Sequence, residues 1–137
     1  MDIKVINEEA TELVDILVAG VRQHNFDNMG QETSKPLTVV AHDKGGKLLG
    51  GVSGRTIYKN FLINVVWVDK QARGTGLGRE LMQLAEVAAK ERGCLLAQVD
   101  TLSFQAPLFY QQLGFEIVGQ VPQIDDIPAR FFLMKRY

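Results

Sequence analysis

The sequence predicts a single α+β domain over residues 1–137, with a mixed sheet flanked by helices. Three observations support this fold class. Apolar residues repeat at helical spacing in two stretches, short apolar runs bounded by turn residues indicate strands, and the strands outnumber the helices. A chain of 137 residues is long enough for one hydrophobic core, and it contains no repeat, linker or low-complexity segment.

The N-terminal part predicts a strand, a helix and a third segment that could be either helix or loop. Residues 3–6 alternate weakly between apolar and polar and indicate a first strand. Asn7 is a good N-cap residue, and apolar side chains repeat at helical spacing over residues 10–21. Residues 23–31 are polar and could form a short second helix or a mobile loop. Either structure would suit a substrate-facing role.

Three strands should follow. Residues 37–41 and 47–57 have strand character, and the HDKGG sequence at residues 42–46 is a strong hairpin signal. Three glycines inside the second of these strands indicate a bulge or a face that another group approaches closely. Residues 61–68 are apolar except for Asn64, which is typical of a central strand.

The C-terminal half predicts two helices and three further strands. Leucine and alanine spacing from residue 77 onward marks a helix, and Gly93 is expected to end it. Pro107 should begin a shorter helix that stops near Gly114. The strands are predicted at residues 95–99, 115–121 and 130–135, which gives the order β-α-β-β-β-α-β-α-β-β.

The composition narrows the classes of function. The formal net charge of −1 gives no reason to expect nucleic acid or an anionic membrane as a partner. No apolar run approaches the roughly 20 residues of a membrane span, and the N-terminus does not resemble a signal peptide. The single cysteine, Cys94, fits a reducing cytoplasm, and two histidines without other clustered ligands argue against a metal site. We therefore expect a cytoplasmic protein without a metal.

Residues 73–79, RGTGLGR, carry the clearest binding signal. They follow the central strand and open a helix. Glycines at alternate positions leave backbone N–H groups open to a ligand, and the helix start adds unpaired donors and the positive end of its dipole. The pattern indicates a phosphate site, with a ligand-free turn as the alternative. The loop lacks the Lys-Ser/Thr ending that a triphosphate site needs.

Two motifs and the element order together resemble the GCN5-related N-acetyltransferase (GNAT) family. Residues 73–78 match its acetyl-CoA signature, which is Arg or Gln, two residues, Gly, one residue, then Gly or Ala. Residues 66–69, VWVD, resemble the strand end before that loop. Residues 106–116, APLFYQQLGFE, resemble the family's FYxxLGF helix. The resemblance implies the acyl-CoA N-acyltransferase fold, whose sheet is mostly antiparallel.

The resemblance also implies acetyl-CoA as a co-substrate. It assigns the pyrophosphate to the backbone amides of the glycine loop. It assigns the pantetheine amides to the free edge of the central strand, which splays away from the strand at residues 95–99 in this fold. An ordinary core strand is the alternative for residues 66–68. The expected cofactor-binding residues are Val66, Trp67, Val68, Arg73, Gly74, Thr75, Gly76, Leu77, Gly78 and Arg79.

The mechanism implied by the resemblance is direct transfer to a primary amine in a ternary complex. Tyr110 occupies the position of the family tyrosine that protonates the departing thiolate, and a packed helix tyrosine is the alternative. A phenol with a pKa of about 10 is protonated at neutral pH, whereas a thiol near 8.5 leaves as an anion. A backbone N–H of residues 66–68 would polarise the thioester carbonyl.

The general base is not assigned by the sequence. Many relatives carry a glutamate on the central strand or the next one, but residues 61–64 offer no carboxylate. The remaining candidates are Asp100, His24, His42 and a water held by Asn64. Asp100 is more simply explained as a solvated residue at a strand end.

The acceptor is also open. A small-molecule amine is expected because no extra domain or tail is available to dock a large partner, and a protein lysine or N-terminus is the alternative. A non-catalytic acyl-CoA-binding module is a rival, supported by the missing base and opposed by Tyr110 in an intact motif. A toxin acting on charged transfer RNA is disfavoured by the net charge of −1. Residues 131–133 could serve a homodimer or belong to the core.

Overall fold

The chain divides into two units in the computed structural model, which describes residues 1–137. The first unit, Met1–Thr33, contains one helix, α1 (Thr11–Met29). The second unit, Ser34–Tyr137, contains the sheet and the remaining helices. None of the three helices combines the length and apolar character that a membrane span requires.

The N-terminal predictions need three corrections. Residues 3–6 form no strand, because two apolar residues in alternation are a short signal and a strand exists only through pairing. Asn7 is not the N-cap of α1: Ala10 holds that position, without a side-chain hydrogen bond. Residues 23–29 continue α1 instead of forming a second helix or a loop.

The second unit follows the predicted order of elements closely. The main shift is in the fourth strand, which was expected at residues 95–99 and extends to Leu102. A short 3₁₀ turn, Lys70–Ala72, lies where a loop was expected. The elements are β1 (Lys35–His42), β2 (Leu48–Ile57), β3 (Asn60–Val68), α2 (Leu77–Glu91), β4 (Leu96–Leu102), α3 (Pro107–Gln112), β5 (Glu116–Val121) and β6 (Arg130–Arg136).

Six strands form one sheet in the order β1-β2-β3-β4-β6-β5. Every neighbouring pair is antiparallel except β3 and β4, which are parallel. The mixed, mostly antiparallel α+β architecture predicted from the sequence is therefore confirmed. Because β6 has a neighbour on each side, its edges cannot pair with a second copy, and Leu133 on this strand is part of the core.

The parallel pair β3–β4 is held together at one end only. Asn60, Phe61 and Leu62 pair with residues 96–98, and no pairing continues beyond them. Since β3 extends to Val68 and β4 to Leu102, both strands run on without each other. The sheet therefore splits in the middle, as the sequence analysis expected, and the free edge of β3 faces the split.

A β-bulge lies on the opposite edge of β3. Ser53 pairs with Val65 and Gly54 with Ile63, so Asn64 has no partner in β2. Gly54 is required here, because a Cβ atom at this position would lie 2.2 Å from the carbonyl oxygen of Leu62. The bulge predicted from the strand glycines is confirmed, and its extra residue is on β3.

Helix α2 covers one face of the sheet through an apolar stripe at helical spacing. Its buried residues are Leu81, Met82, Ala85 and Ala89. The sheet supplies large buried side chains, of which Phe61 and Leu133 are almost fully enclosed. This packing fixes α2 over the strands that position the split.

Polar contacts tie α2 to both halves of the sheet. Glu86 accepts from Lys90 on the helix and from Lys135 on β6, at 3.2 and 2.7 Å. Although partial burial opposes it, these two cations hold the pKa of Glu86 below its ordinary value. At the end of the helix, Arg92 donates to the carbonyl oxygen of Pro36 on β1 at 2.9 Å.

A glycine-to-alanine substitution tests the bulge. Gly54→Ala should lower the free energy of unfolding by about 3 kcal/mol, because the new Cβ atom meets backbone that cannot move aside. Gly45→Ala is the matched control, since its Cβ atom would make an ordinary contact at 3.4 Å with Asp43. Urea denaturation measures both, and equal stability of the two variants would show that the bulge tolerates a side chain.

Candidate active site

A cleft opens where β3 and β4 part. Its volume of about 950 Å³ is at the upper end of the usual range for small-molecule sites. The walls come from five elements, β3, α2, β4, α3 and β6, and from the loops between them. They comprise residues 64–68, 72–74, 76–79, 99–102, 104–106, 109, 110, 112, 113 and 130.

The glycine loop lies at the end of β3 and delivers the N-terminus of α2 to the cleft. Gly74 and Gly76 have φ angles of 78° and 87°, a left-handed conformation that glycine adopts without strain. Gly76 is the N-cap of α2 and provides no side-chain hydrogen bond to the first turn. The amides that begin α2 therefore have no side-chain cap, as an anion site requires.

Two side chains of the loop form hydrogen bonds with nearby backbone carbonyl groups. The Nε atom of Arg73 donates to the carbonyl oxygen of Val68 at 3.1 Å, and the hydroxyl of Thr75 donates to the carbonyl oxygen of Ala72 at 2.6 Å. These bonds fix the loop against the end of β3. Arg79, in contrast, is an exposed cation that lines the cleft.

The end of β3 has two different sides. Its residues Val66, Trp67 and Val68 pair with β2 through one edge. The other edge has no strand beside it and lies in the cleft. The side chains of Val66 and Val68 pack against the core, so the core-strand alternative holds for their side chains. The backbone groups on the edge that faces the cleft have no strand partner, apart from the carbonyl oxygen of Val68, which accepts from Arg73.

Tyr110 reaches the cleft from α3. Only 6% of the residue is exposed, and its ring makes edge contacts with Phe109 and Phe115 at centroid distances of 5.2 and 5.7 Å. Burial of the phenol, with a smaller contribution from the negative charge of Asp100, raises the pKa of Tyr110 to about 12. The hydroxyl is therefore a proton donor throughout the neutral range.

The candidate bases are found in different places. Asp100 lines the cleft, but its carboxylate forms an ion pair with Arg130 and is not simply solvated. Asn64 also lines the cleft, at the bulge. His24 is exposed on α1, in the first unit, and His42 is exposed at the end of β1. No carboxylate on β3 replaces them.

Arg130 was missed by the sequence analysis as a site residue. It appeared there only as the first residue of the last strand. Its place beside Asp100 follows from the antiparallel pairing of β4 with β6, which sets Asp100 opposite Phe132 and Leu102 opposite Arg130. No local pattern reports that register, because the paired segments are distant in sequence.

Solved structures place this fold in a class. An acetyltransferase from Bacillus cereus superposes with a TM-score of 0.86 at 30% identity, covering 98% of each chain. The fold and the split sheet thus define an acyl-CoA N-acyltransferase architecture.

The family follows from the sequence comparison. The profile of the acetyltransferase (GNAT) domain matches residues 34–117, a segment that contains the glycine loop and Tyr110. This chain belongs to the GNAT family of acetyltransferases and is an acyltransferase enzyme. Blasticidin-S acetyltransferase of Streptomyces morookaense is 40% identical over 93 residues, 65% of this chain and 68% of its own. Acetyltransferase Atu2258 of Agrobacterium fabrum is 27% identical over 134 residues, 97% of this chain and 95% of its own.

The raised pKa of Tyr110 has a measurable consequence for stability. The folded-state pKa of about 12 lies above the unfolded value of about 10. As the pH rises between these values, the phenol ionises in the unfolded state only, and this favours unfolding. From about pH 8 to about pH 11, wild type should lose about 1 kcal/mol more unfolding free energy than Tyr110→Phe. Urea titrations at the two pH values measure this, and equal losses would contradict it.

Proposed function

We propose that this enzyme transfers the acetyl group of acetyl-CoA to a primary amine of a small molecule, by direct attack in a ternary complex. One observation carries the proposal. The uncapped start of α2, the free edge of β3 and the side chain of Tyr110 all line the same cleft. An acyl-CoA thioester needs three kinds of group. These are hydrogen-bond donors for its pyrophosphate, hydrogen-bond partners for its pantetheine amides, and an acid that protonates the departing thiolate.

The binding of the co-substrate is supported by the chemistry of the cleft walls. The backbone amides of residues 74–79 would hold the pyrophosphate, with Arg79 as an added cation. The free backbone edge of residues 66–68 would pair with the pantetheine amides. Acetyl-CoA supplies an acetyl group activated as a thioester.

The same edge of β3 would assist the reaction. A backbone N–H of residues 66–68 can donate to the thioester oxygen, where negative charge develops during attack. The donor is fixed by the sheet, since residues 66–68 are paired with β2 on the other edge. It therefore needs no rearrangement when the charge appears.

Tyr110 is the proposed general acid. Its phenol keeps its proton at neutral pH because its pKa is about 12. The departing thiolate, with a conjugate-acid pKa near 8.5, would otherwise have to take a proton from water. The enclosing rings of Phe109 and Phe115 fix the direction of the side chain.

A small-molecule acceptor is supported by the relative that acts on blasticidin S, which is 40% identical over 93 residues. A cleft of about 950 Å³ has room for the pantetheine arm of the coenzyme and a compact amine. Protein lysines and N-termini are the competing class of acceptor, and CoA release with a lysine-containing peptide but with no small amine would favour them.

Substitution of the proposed acid tests the mechanism. Tyr110→Phe should lower kcat by about 100-fold while leaving acetyl-CoA affinity unchanged, because only the proton donor is lost. Turnover is measured as release of CoA thiol with blasticidin S and a panel of small primary amines. Binding is measured by calorimetry.

Tyr137→Phe is the matched control for that experiment. This tyrosine also has a raised pKa through burial, but it lines a separate small cavity and not the cleft. It should retain wild-type turnover. Unchanged turnover of Tyr110→Phe would remove the tyrosine from the acid role.

A further inference from the structure

The cleft contains one pair of opposite charges that the proposed binding of acetyl-CoA does not use. Asp100 on β4 and Arg130 on β6 form an ion pair, and both residues line the cleft. Their side chains are 38% and 46% exposed, so each can also reach a ligand. Asp100 is the only acidic residue among the cleft walls.

The pair is located close to the proposed chemistry. Asp100 projects from the exposed face of β4, whereas its neighbours Val99 and Thr101 are buried. The negative charge of Asp100 nonetheless acts on the phenol of Tyr110, which reaches the cleft from α3. Asp100 and Tyr110 line the same cleft, within electrostatic range of each other.

We propose that Asp100 and Arg130 together bind the acceptor, and that the acceptor is a zwitterion, an amine with a neighbouring carboxylate such as an α-amino acid. The assignment rests on the proposed acetyl transfer and adds the class of substrate. Asp100 receives the ammonium group, and Arg130 receives the carboxylate. The ammonium gives one proton to water before it attacks, and the proton that the nitrogen loses on transfer restores the phenol of Tyr110. The acceptor nitrogen is thereby held beside Asp100, in the same cleft as the phenol of Tyr110.

The electrostatics favour a zwitterion over a simple cation. In the free enzyme the charges of Asp100 and Arg130 largely cancel, so an approaching ammonium gains little net attraction. A cation that took the carboxylate from Arg130 would leave the guanidinium without its partner and close to a like charge. A zwitterion replaces the partner of both residues at once, so neither charge is left unpaired.

The geometry of the donors is also suited to this exchange. A guanidinium can donate two parallel N–H bonds to a carboxylate, and Arg130 now donates one, from a terminal nitrogen to Asp100. An acceptor carboxylate offers the same planar pair of oxygen atoms. The apolar side chains of Trp67 and Leu102 line the same cleft and can contact the remainder of the acceptor.

Matched amines test the assignment. Each set contains an amino acid, its carboxamide and its decarboxylated amine, for example L-phenylalanine, L-phenylalaninamide and phenethylamine, and several such sets cover different side chains. With saturating acetyl-CoA, kcat/KM for the best amino acid should exceed that of its two analogues by about tenfold or more. Faster turnover of the analogues would overturn the assignment.

Variants of Arg130 separate recognition from catalysis. Arg130→Gln should raise KM for the amino acid by about tenfold with kcat little changed, and should leave the carboxamide unaffected. Arg130→Lys should raise KM less than Arg130→Gln does, because lysine keeps the positive charge but lacks the planar guanidinium with its parallel N–H donors. Arg136→Gln is the control, since Arg136 lies at the other end of β6 opposite Leu96. Equal effects of Arg130→Gln on the acid and its carboxamide would contradict the role.

The outcomes distinguish this assignment from the proposed function. Turnover confined to amines without a neighbouring carboxylate would leave acetyl transfer intact and overturn the zwitterion site. Binding of acetyl-CoA without CoA release on any amine would overturn the proposed function and this assignment with it. Calorimetry with acetyl-CoA confirms that each variant is folded.

Discussion

The structure depends on the point at which β3 and β4 stop pairing. Three residues of β3, Asn60 to Leu62, pair with β4, and from there the two strands separate. Unpaired strand edges are costly when buried and prone to association when exposed. Here the free edge of β3 lines a cleft of about 950 Å³, so its backbone groups are accessible to a ligand. The proposed binding of acetyl-CoA supplies the missing partner for that edge.

The bulge in β3 and the packing of helix α2 support the split. The bulge at Asn64 bends β3 away from a regular ladder, and it depends on a glycine at position 54, where a side chain would strike the backbone. Helix α2 packs across the buried face and is tied to β6 through Glu86 and Lys135. The same helix places its uncapped N-terminus at the end of β3. Packing and phosphate binding are thus two consequences of one helix position.

The sequence was informative where function depends on local motifs. The glycine loop and Tyr110, which line the same cleft, could be proposed as site residues because each belongs to a short local motif. The strand expected at residues 3–6 was wrong, since a weak alternation of four residues cannot report whether a pairing partner exists. Arg130 was not recognised for a related reason. Its contact with Asp100 is set by strand register across 30 residues of sequence, and register has no local signature.

Amide hydrogen–deuterium exchange with and without acetyl-CoA tests the central claim most directly. If the co-substrate pairs with the free edge of β3 and the start of α2, it should slow exchange at residues 64–68 and 74–79. Exchange in the turn at residues 43–46, between β1 and β2, should not change. Unchanged exchange along β3 at saturating acetyl-CoA, or protection confined to other strands, would contradict the account.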